Sequence, residues 1–163
     1  MHKVQKLNKT YLFDWGDTLM VDFPDQQGKM CNWSKVEAVA GAYETLQSIA
    51  ANSTIYVATN AAESTALDIA AAFAKVGLAK FIAGYFGRFN LGVAKGSSEF
   101  YVKIAGNIKQ QTSNMVMVGD SLERDIIPAI EAGLEAIWLN DSNQPMPSNL
   151  TCRQIKSLDE LCT

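Results

Sequence analysis

Short, continuously apolar segments alternate with longer helical patterns along this chain. Four of these segments are typical of β-strands and lie at residues 11–15, 54–59, 115–119 and 135–140, with a shorter candidate at 81–85. Between them lie four helix candidates, at residues 34–50, 62–76, 97–108 and 122–132. Strands that are apolar throughout and separated by helices predict a parallel sheet covered by helices on both faces. We therefore predict a doubly wound α/β fold.

Local signals predict where some of these helices begin and end. Ser34 opens the first helix candidate and Glu37 follows it at the spacing of a capping box. Gly77 and Gly133 follow helical patterns, at positions where glycine commonly ends a helix. Residues 21–33 contain proline, glycine and adjacent glutamines, so this segment is expected to be a loop.

The composition is that of one globular domain. The chain has 163 residues, 48% of them hydrophobic and 19% charged, which suits a single domain over residues 1–163. The net charge of −3 provides no basic surface for nucleic acid or an anionic membrane. No apolar run has the length of a signal peptide or a membrane-spanning helix, so a cytoplasmic location is expected.

The cysteine and histidine contents exclude several kinds of site. The three cysteines, Cys31, Cys152 and Cys162, are far apart and odd in number, which argues against a disulfide framework or a zinc site. His2 is the only histidine and lies at the start of the sequence. Catalytic triads built on histidine are therefore excluded, and the chemistry must come from other side chains.

Polar residues follow three predicted strands at the ends where open α/β sheets bind ligands. Asp14 follows the first strand, Thr59 and Asn60 end the second, and Asp120 follows the third, with Asp125 a short way beyond. Two carboxylates brought together repel each other unless a cation lies between them. Oxygen ligands from a few protein groups suit magnesium, which also binds substrate phosphates. If these strands are neighbours in the sheet, Asp14 and Asp120 converge on one crevice and can bind a magnesium ion there.

The same residue types suit phosphoryl transfer. Aspartate can act as a covalent nucleophile that forms an aspartyl-phosphate, and Asp14 is the candidate. Thr59, Asn60 and the backbone N–H groups after Asp14 are candidates for binding phosphoryl oxygens, and Lys95 can balance the negative charge. The predicted cofactor is Mg²⁺. The predicted partner is a phosphorylated substrate, either a small molecule or a phosphate exposed on a larger one.

These segments resemble the four motifs of the haloacid dehalogenase superfamily, and the resemblance covers almost the whole chain. The motifs are YLFDWGDTL, YVATN, Lys95 with the helix that follows it, and VMVGDSLERD. The resemblance implies a Rossmann-like hydrolase fold in which Asp14 attacks phosphorus. It also implies a metal site made by Asp14, the backbone carbonyl of Gly16 and Asp120, with Asp125 supporting it directly or through water.

One position departs from the superfamily pattern. Its phosphatases usually carry a second aspartate two residues after the nucleophile, which protonates the leaving group, whereas this chain has Gly16 there and Asp17 next. A one-residue shift in an extended segment turns a side chain to the opposite side. Asp17 replaces the acid if the loop bends at Gly16. Otherwise the enzyme acts slowly, or on good leaving groups such as acyl or aryl phosphates, because general acid–base help is worth about 10²–10⁴-fold.

Because Gly16 replaces the usual acid, two alternatives to a phosphatase must also be considered. Superfamily members that cleave carbon–halogen or carbon–phosphorus bonds lack this aspartate too, but they carry a large helical cap, and residues 21–33 form only a loop at that position. A catalytically weak module that binds magnesium and phosphate is the other alternative. We expect a fold with no large cap domain and, as the leading function, magnesium-dependent hydrolysis of phosphate monoesters or acyl phosphates.

The lack of a large cap predicts an open site. An open site favours a large substrate, or closure by a second subunit of a homo-oligomer, because active sites normally exclude water. Trp15 and Trp33 are interpreted as packing residues, since aromatic side chains near strand ends usually are. Arg124 is interpreted as part of a solvated helix face. Gly96 stands where the superfamily usually has proline after the motif lysine.

Overall fold

The computed structural model describes residues 8–61 and 64–162, which contain one six-stranded sheet. Its strands are β1 (Thr10–Phe13), β2 (Thr54–Ala58), β3 (Gly84–Phe86), β4 (Met115–Gly119), β5 (Glu135–Leu139) and β6 (Arg153–Ile155). They are ordered β3-β2-β1-β4-β5-β6, and every neighbouring pair is parallel. The predicted doubly wound, Rossmann-like α/β architecture is confirmed. His2 and the predicted helix start at residue 62 lie outside the described residues.

Strand β1 lies in the middle of the sheet, between β2 and β4. Its last residue, Phe13, is in register with Val57 of β2 and Val118 of β4. The backbone N–H of Asp14 extends this pairing by donating to the Val118 carbonyl at 3.0 Å. Because the three strands are parallel, the residues that follow them meet at one edge of the sheet.

Five α-helices accompany the sheet in the described part of the chain. They are α1 (Ala42–Ala50), α2 (Ala66–Lys75), the short α3 (Arg88–Leu91), α4 (Ser98–Ile108) and α5 (Ile127–Glu131). Short 3₁₀ turns lie at Met30–Asn32, Ala79–Phe81, Thr112–Asn114 and Leu158–Leu161. Gly77 and Gly133 have φ angles of 76° and 97°. These left-handed values favour glycine and confirm both predicted helix ends.

The hydrophobic core forms two layers, one on each face of the sheet. Successive residues of β4 alternate between them: Val116 and Val118 pack with α1 and α2 residues, whereas Met115 and Met117 pack with α4 and α5 residues. Both faces of the strand are therefore buried, as its uninterrupted apolar sequence predicts.

The predicted helix over residues 34–50 is wrong in its first half. Helix α1 begins only at Ala42, after Gly41 with a left-handed φ of 81°. Residues 34–41 are not helical because they pair with the segment after β1: the Val21 N–H donates to the Glu37 carbonyl at 2.9 Å, and the Val39 N–H to the Leu19 carbonyl at 2.8 Å. Ser34 and Glu37 therefore form no capping box.

One further sequence prediction needs correction, and one strand was not predicted. The strand predicted at residues 81–85 is β3 at Gly84–Phe86, because Ala79–Phe81 forms a 3₁₀ turn and pairing with β2 starts at Gly84. The C-terminal segment contains the edge strand β6, of which only Ile155 is buried. An edge strand with one buried residue carries little of the apolar pattern by which strands are recognised.

The helix predicted over residues 122–132 has a wider first turn. Residues Leu122–Ile126 are π-helical and lead into α5. Pro128 has no backbone N–H, so the Arg124 carbonyl lacks its usual helical donor. The hydroxyl group of Tyr101 donates to that carbonyl instead, at 2.8 Å. This turn directly follows Asp120 and carries Asp125.

The chain contains no large cap domain within the described residues. Between β1 and α1 it forms a loop whose only helical part is the 3₁₀ turn Met30–Asn32. In the described segments, no helix combines the length and apolar character needed to cross a membrane.

Candidate active site

The predicted site residues meet at the carboxyl edge of β1, β2 and β4. A cleft of about 240 Å³ is lined by all of them except Thr59, namely by Asp14, Gly16, Asp17, Asn60, Lys95, Asp120 and Asp125. Thr59 is fully buried beneath this edge. The sheet order explains the convergence, because residues far apart in the sequence follow adjacent parallel strands.

Three carboxylates form the centre of the cleft. Oxygen atoms of Asp14, Asp120 and Asp125 all lie within 4.8 Å of one another. Asp14 and Asp125 are buried, and Asp120 is more open to solvent. The hydroxyl group of Thr18 donates to Asp14 Oδ2 at 3.1 Å and lies 3.5 Å from Asp120 Oδ1. Thr18 thus links the two carboxylates that follow β1 and β4.

Lys95 is buried against two of these carboxylates. Its Nζ lies 2.7 Å from Asp14 Oδ1 and 2.7 Å from Asp125 Oδ1, and it donates to the Ala58 carbonyl at 3.1 Å. The contact with Asp125 is an ion pair without hydrogen-bond geometry, which leaves Asp125 Oδ1 with no hydrogen-bond partner. A lysine that is only 2% exposed is tolerated here because it is paired with acidic groups.

The pKa values reflect this crowding of charge. Burial, reinforced by Asp14 and Asp125, raises the pKa of Asp120 to about 7. Burial and the charge of Asp14 raise the pKa of Asp125 to about 6, against the opposing effect of Lys95. Burial alone would lower the pKa of Lys95, but Asp14 and Asp125 outweigh burial and raise it. One ammonium group therefore does not balance the three carboxylates, and a divalent cation fits this donor set.

Asp125 reaches the cluster because the residue packed against it is glycine. A Cβ atom on Gly119 would lie 2.3 Å from Asp125 Oδ2, far inside contact distance. The same Oδ2 accepts a hydrogen bond from the Ser121 N–H at 3.0 Å. The last residue of β4 therefore has a steric role as well as a place in the strand.

Thr59 and Asn60 fix the backbone around the cleft. The Thr59 hydroxyl accepts a hydrogen bond from the Ala61 N–H at 3.0 Å. Asn60 Oδ1 accepts one from the backbone N–H of Lys95 at 3.1 Å, which ties the end of β2 to the segment that carries the lysine. Asn60 lines the cleft, so its amide can face a bound phosphate, whereas contact with Thr59 requires access to a buried hydroxyl.

Asp17 lies in a tight loop after Asp14. Its φ of 57° is left-handed, a conformation that is uncommon for a residue other than glycine. Its carboxylate is exposed and accepts a hydrogen bond from the Asp22 N–H at 3.0 Å. One oxygen of Asp17 thus holds the loop, while the residue still lines the cleft. At Gly16, an added Cβ would contact only Asp22 Cβ, at 4.0 Å.

Comparison with known sequences decides the family. Residues 16–133, well over half of the chain, match the profile of haloacid dehalogenase-like hydrolases. The chain belongs to the haloacid dehalogenase-like hydrolases. The resemblance in the sequence motifs is thereby confirmed, and the family makes this protein a hydrolase. The matched segment begins just after Asp14.

The relatives of this haloacid dehalogenase-like hydrolase include proteins named as a nucleotidase, a hydrolase and a dehalogenase. The pyrimidine 5′-nucleotidase YjjG of Escherichia coli (strain K12) is 26% identical, over 96% of this chain and 78% of the relative. The HAD-hydrolase YfnB from Bacillus subtilis, solved bound to magnesium, superimposes with a TM-score of 0.76 at 17% identity, over 96% of this chain and 97% of that one. The 2-haloacid dehalogenase from Pseudomonas syringae pv. Tomato DC3000 has a TM-score of 0.66 at 26% identity, over 78% and 52% of the two chains.

Two residues that line the cleft of this hydrolase were not recognised as site residues in the sequence. Arg124, predicted to lie on a solvated helix face, lines the cleft next to Asp125, and Asp22 lines it from the loop after β1. The position of Arg124 in the turn after Asp120 was the available signal. No sequence signal indicated Asp22, because its position at the cleft depends on how the loop of residues 17–22 folds.

Proposed function

We propose that this haloacid dehalogenase-like hydrolase is a magnesium-dependent phosphatase that forms an aspartyl-phosphate on Asp14. The observation that carries the proposal is the buried cluster in which Lys95 lies 2.7 Å from both Asp14 and Asp125. Burial, with added effects of Asp14 and Asp125, raises the pKa of Asp120 to about 7, which supports a cluster that carries more negative charge than Lys95 balances. A site that binds a cation and then a phosphate would use that excess.

Asp14 is placed to act as the nucleophile. Lys95 holds Asp14 Oδ1 and Thr18 donates to Oδ2, so the carboxylate is fixed in orientation. Attack by one oxygen forms an O–P bond while the bond from phosphorus to the leaving group breaks, and the leaving group takes the electron pair. Water then attacks the aspartyl-phosphate, which releases inorganic phosphate and restores the Asp14 carboxylate.

The residues that would hold Mg²⁺ are Asp14, Asp120, the Gly16 carbonyl and Asp125, the last either directly or through water. When bound, the ion would neutralise carboxylate charge and stabilise negative charge on the phosphoryl oxygens. The amide of Asn60 and the backbone N–H groups after Asp14 would bind those oxygens, with Thr59 supporting the Ala61 backbone. Lys95 would stay paired with Asp14 and limit the repulsion between that carboxylate and the incoming phosphate.

The leaving group determines which substrates such a site turns over quickly. Gly16 provides no acid, and one oxygen of Asp17 is engaged with the Asp22 N–H. We propose that acyl and aryl phosphates, whose leaving groups need little protonation, are hydrolysed faster than alkyl phosphates. Asp17 remains the candidate acid for the slower substrates, and Asp17→Asn would then reduce alkyl phosphate turnover selectively.

The test is hydrolysis of acetyl phosphate and p-nitrophenyl phosphate with and without Mg²⁺. We expect turnover only with the metal, and a loss of at least about 10³-fold in Asp14→Asn, as for other nucleophiles. Asp141→Asn removes the same charge from an exposed position outside the cleft and should leave the rate unchanged. Halide release from a 2-haloacid without added metal would reject the phosphatase in favour of a dehalogenase. Binding of magnesium and phosphate without turnover would indicate a binding module.

A further inference from the structure

A second cavity adjoins the candidate active site. It has a volume of about 320 Å³ and shares Trp15, Gly16, Asp22 and Ala61 with the cleft that holds the carboxylates. This volume is at the small end of the range for ligand pockets, about 300–1,000 Å³. The four shared residues place the second cavity directly beside the cleft, so it is the adjacent space for the rest of a molecule whose phosphate lies at Asp14.

Two tryptophans give this cavity an aromatic lining. Trp15, directly after the nucleophile, packs against Phe73 of α2 with ring centroids 6.3 Å apart and the planes inclined by 19°. Trp33 lines the cavity too, and its indole N–H donates to the Gly28 carbonyl at 3.0 Å. Both side chains are only partly buried, so each packs and also faces the cavity. The interpretation of these residues as packing alone is therefore incomplete.

The loop that supplies Trp33 is attached to α2. Lys29 forms an ion pair with Asp68 at 2.9 Å, and the ammonium group of Lys75 donates to the Cys31 carbonyl. The side chain of Met30, between these two anchors, is buried. A cavity whose walls are already held in place loses less conformational entropy when a ligand binds.

We propose that this cavity binds a flat aromatic ring in the leaving group of the phosphorylated substrate. The inference rests on the proposed phosphatase function and names its substrate class. Indole rings stack on flat π-systems, and the cavity is lined by Gly16, the position at which the acid for the leaving group is missing. A phenolate, whose conjugate acid has a pKa of about 10 as in tyrosine, departs without the protonation that an alkoxide needs. The lining and the missing acid thus favour the same substrates.

Binding of unreactive phosphonates tests the cavity without turnover. Phenylphosphonate and methylphosphonate differ only in the ring, and their dissociation constants in the presence of Mg²⁺ can be measured by calorimetry. We expect phenylphosphonate to bind about tenfold more tightly, a typical contribution from aromatic stacking. Trp33→Leu should abolish this preference, and Trp33→Phe should largely keep it. Val102→Ala, at an exposed position on α4, is the control and should change neither constant.

Turnover measurements then distinguish rejection of the aromatic site from rejection of the proposed phosphatase function. If the wild-type enzyme hydrolyses acetyl phosphate but shows no preference for phenylphosphonate, the aromatic site is rejected and the phosphatase stands. A preference that survives in Trp33→Leu rejects it too. If phenylphosphonate is preferred but no phosphate is hydrolysed, the site stands and the catalytic proposal fails. Absence of both rejects both.

A final comparison locates the ring relative to the phosphate. Trp33→Leu should raise KM for p-nitrophenyl phosphate about tenfold if the ring is bonded directly to the phosphate oxygen. If it instead raises KM for uridine 5′-monophosphate but not for ribose 5-phosphate, the ring lies one sugar away. Either result supports an aromatic ring in this cavity, but only the first keeps the argument that the departing group is a phenolate, because uridine 5′-monophosphate is an alkyl phosphate. Equal effects on aromatic and non-aromatic substrates would overturn the proposal.

Discussion

Gly16 is the residue at which this chain departs from the phosphatases that its motifs resemble. The structure leaves room there for a side chain, because an added Cβ would contact only Asp22 Cβ, at 4.0 Å. Its φ angle is not left-handed, so the backbone does not require glycine. Neither a clash at Cβ nor the backbone conformation therefore explains the missing acid.

We predict that Gly16→Asp raises the turnover of alkyl phosphates by about tenfold or more, since a placed general acid is worth about 10²–10⁴-fold. Acetyl phosphate, whose leaving group needs little protonation, should change by much less. Steady-state kinetics on both substrates measures the effect, and Gly16→Asn provides a control of the same shape without a titratable proton. Equal changes for the two substrates, or the same gain in Gly16→Asn, would contradict this explanation.

The individual carboxylates of the cluster and the charge-balancing role of Lys95 could be predicted from the sequence, but which carboxylates Lys95 contacts could not. Asp14, Asp120 and Asp125 stand out because each follows a strand closely, and parallel strands converge. The contact of Lys95 with Asp125 depends on Gly119 and on the π-helical turn. Gly119 belongs to the motif VMVGDSLERD, but the sequence does not indicate its steric role, and the π-helical turn leaves no pattern. Arg124 is exposed, as predicted, but the sequence did not indicate that it lines the cleft.

Ser34 with Glu37 and Thr65 with Asp68 have the same capping-box spacing, but only the second pair caps a helix. Thr65 and Asp68 form a complete box at the start of α2, with the Thr65 hydroxyl accepting from the Asp68 N–H at 3.3 Å. The difference comes from a distant segment: the backbone after β1 binds residues 37–39 and competes with the helix. The local helix signals of a sequence do not include hydrogen-bond partners from distant segments.

Helix α2 supports the loop of the second cavity, so its cap contributes to stability and to the site. We predict that Thr65→Ala lowers the free energy of unfolding by about 1 kcal/mol, the usual cost of a lost N-cap. Ser34→Ala, which removes a hydroxyl group that caps nothing, should stay within about 0.5 kcal/mol of wild type. Urea unfolding of both variants measures these values. Equal destabilisation would show that the cap at Thr65 is not the cause.

The sheet as a whole could be predicted because its strands are buried on both faces and are therefore apolar throughout. Edge elements escaped prediction where burial is slight, as in β6, of which only Ile155 is buried. The topology then accounts for the site, since β1 lies between β2 and β4 and the three carboxyl ends are adjacent.

Burial and the neighbouring carboxylates raise the pKa of Asp120 to about 7 and that of Asp125 to about 6, both above the unfolded value of 3.8. Between the unfolded pKa of 3.8 and the folded values of about 6 and about 7, the folded protein therefore binds more protons than the unfolded chain. This contribution to stability is fully present below the unfolded pKa and is lost as the pH rises through about 7. We predict that, without metal, the free energy of unfolding is lower at about pH 8 than at about pH 5.

Magnesium should reverse most of this loss, because it binds the deprotonated carboxylates of the folded state. At a free concentration about 100 times Kd it adds about 2.7 kcal/mol, so the gain should be larger at about pH 8 than at about pH 5. Urea unfolding with EDTA or Mg²⁺ at both pH values measures it. Asp120→Asn removes one of the repelling charges, and we expect this variant to be more stable than wild type in EDTA at about pH 8 and to gain little from Mg²⁺. A gain from Mg²⁺ that is the same in Asp120→Asn, or the same at both pH values, would mean that the ion stabilises the protein somewhere other than at this cluster.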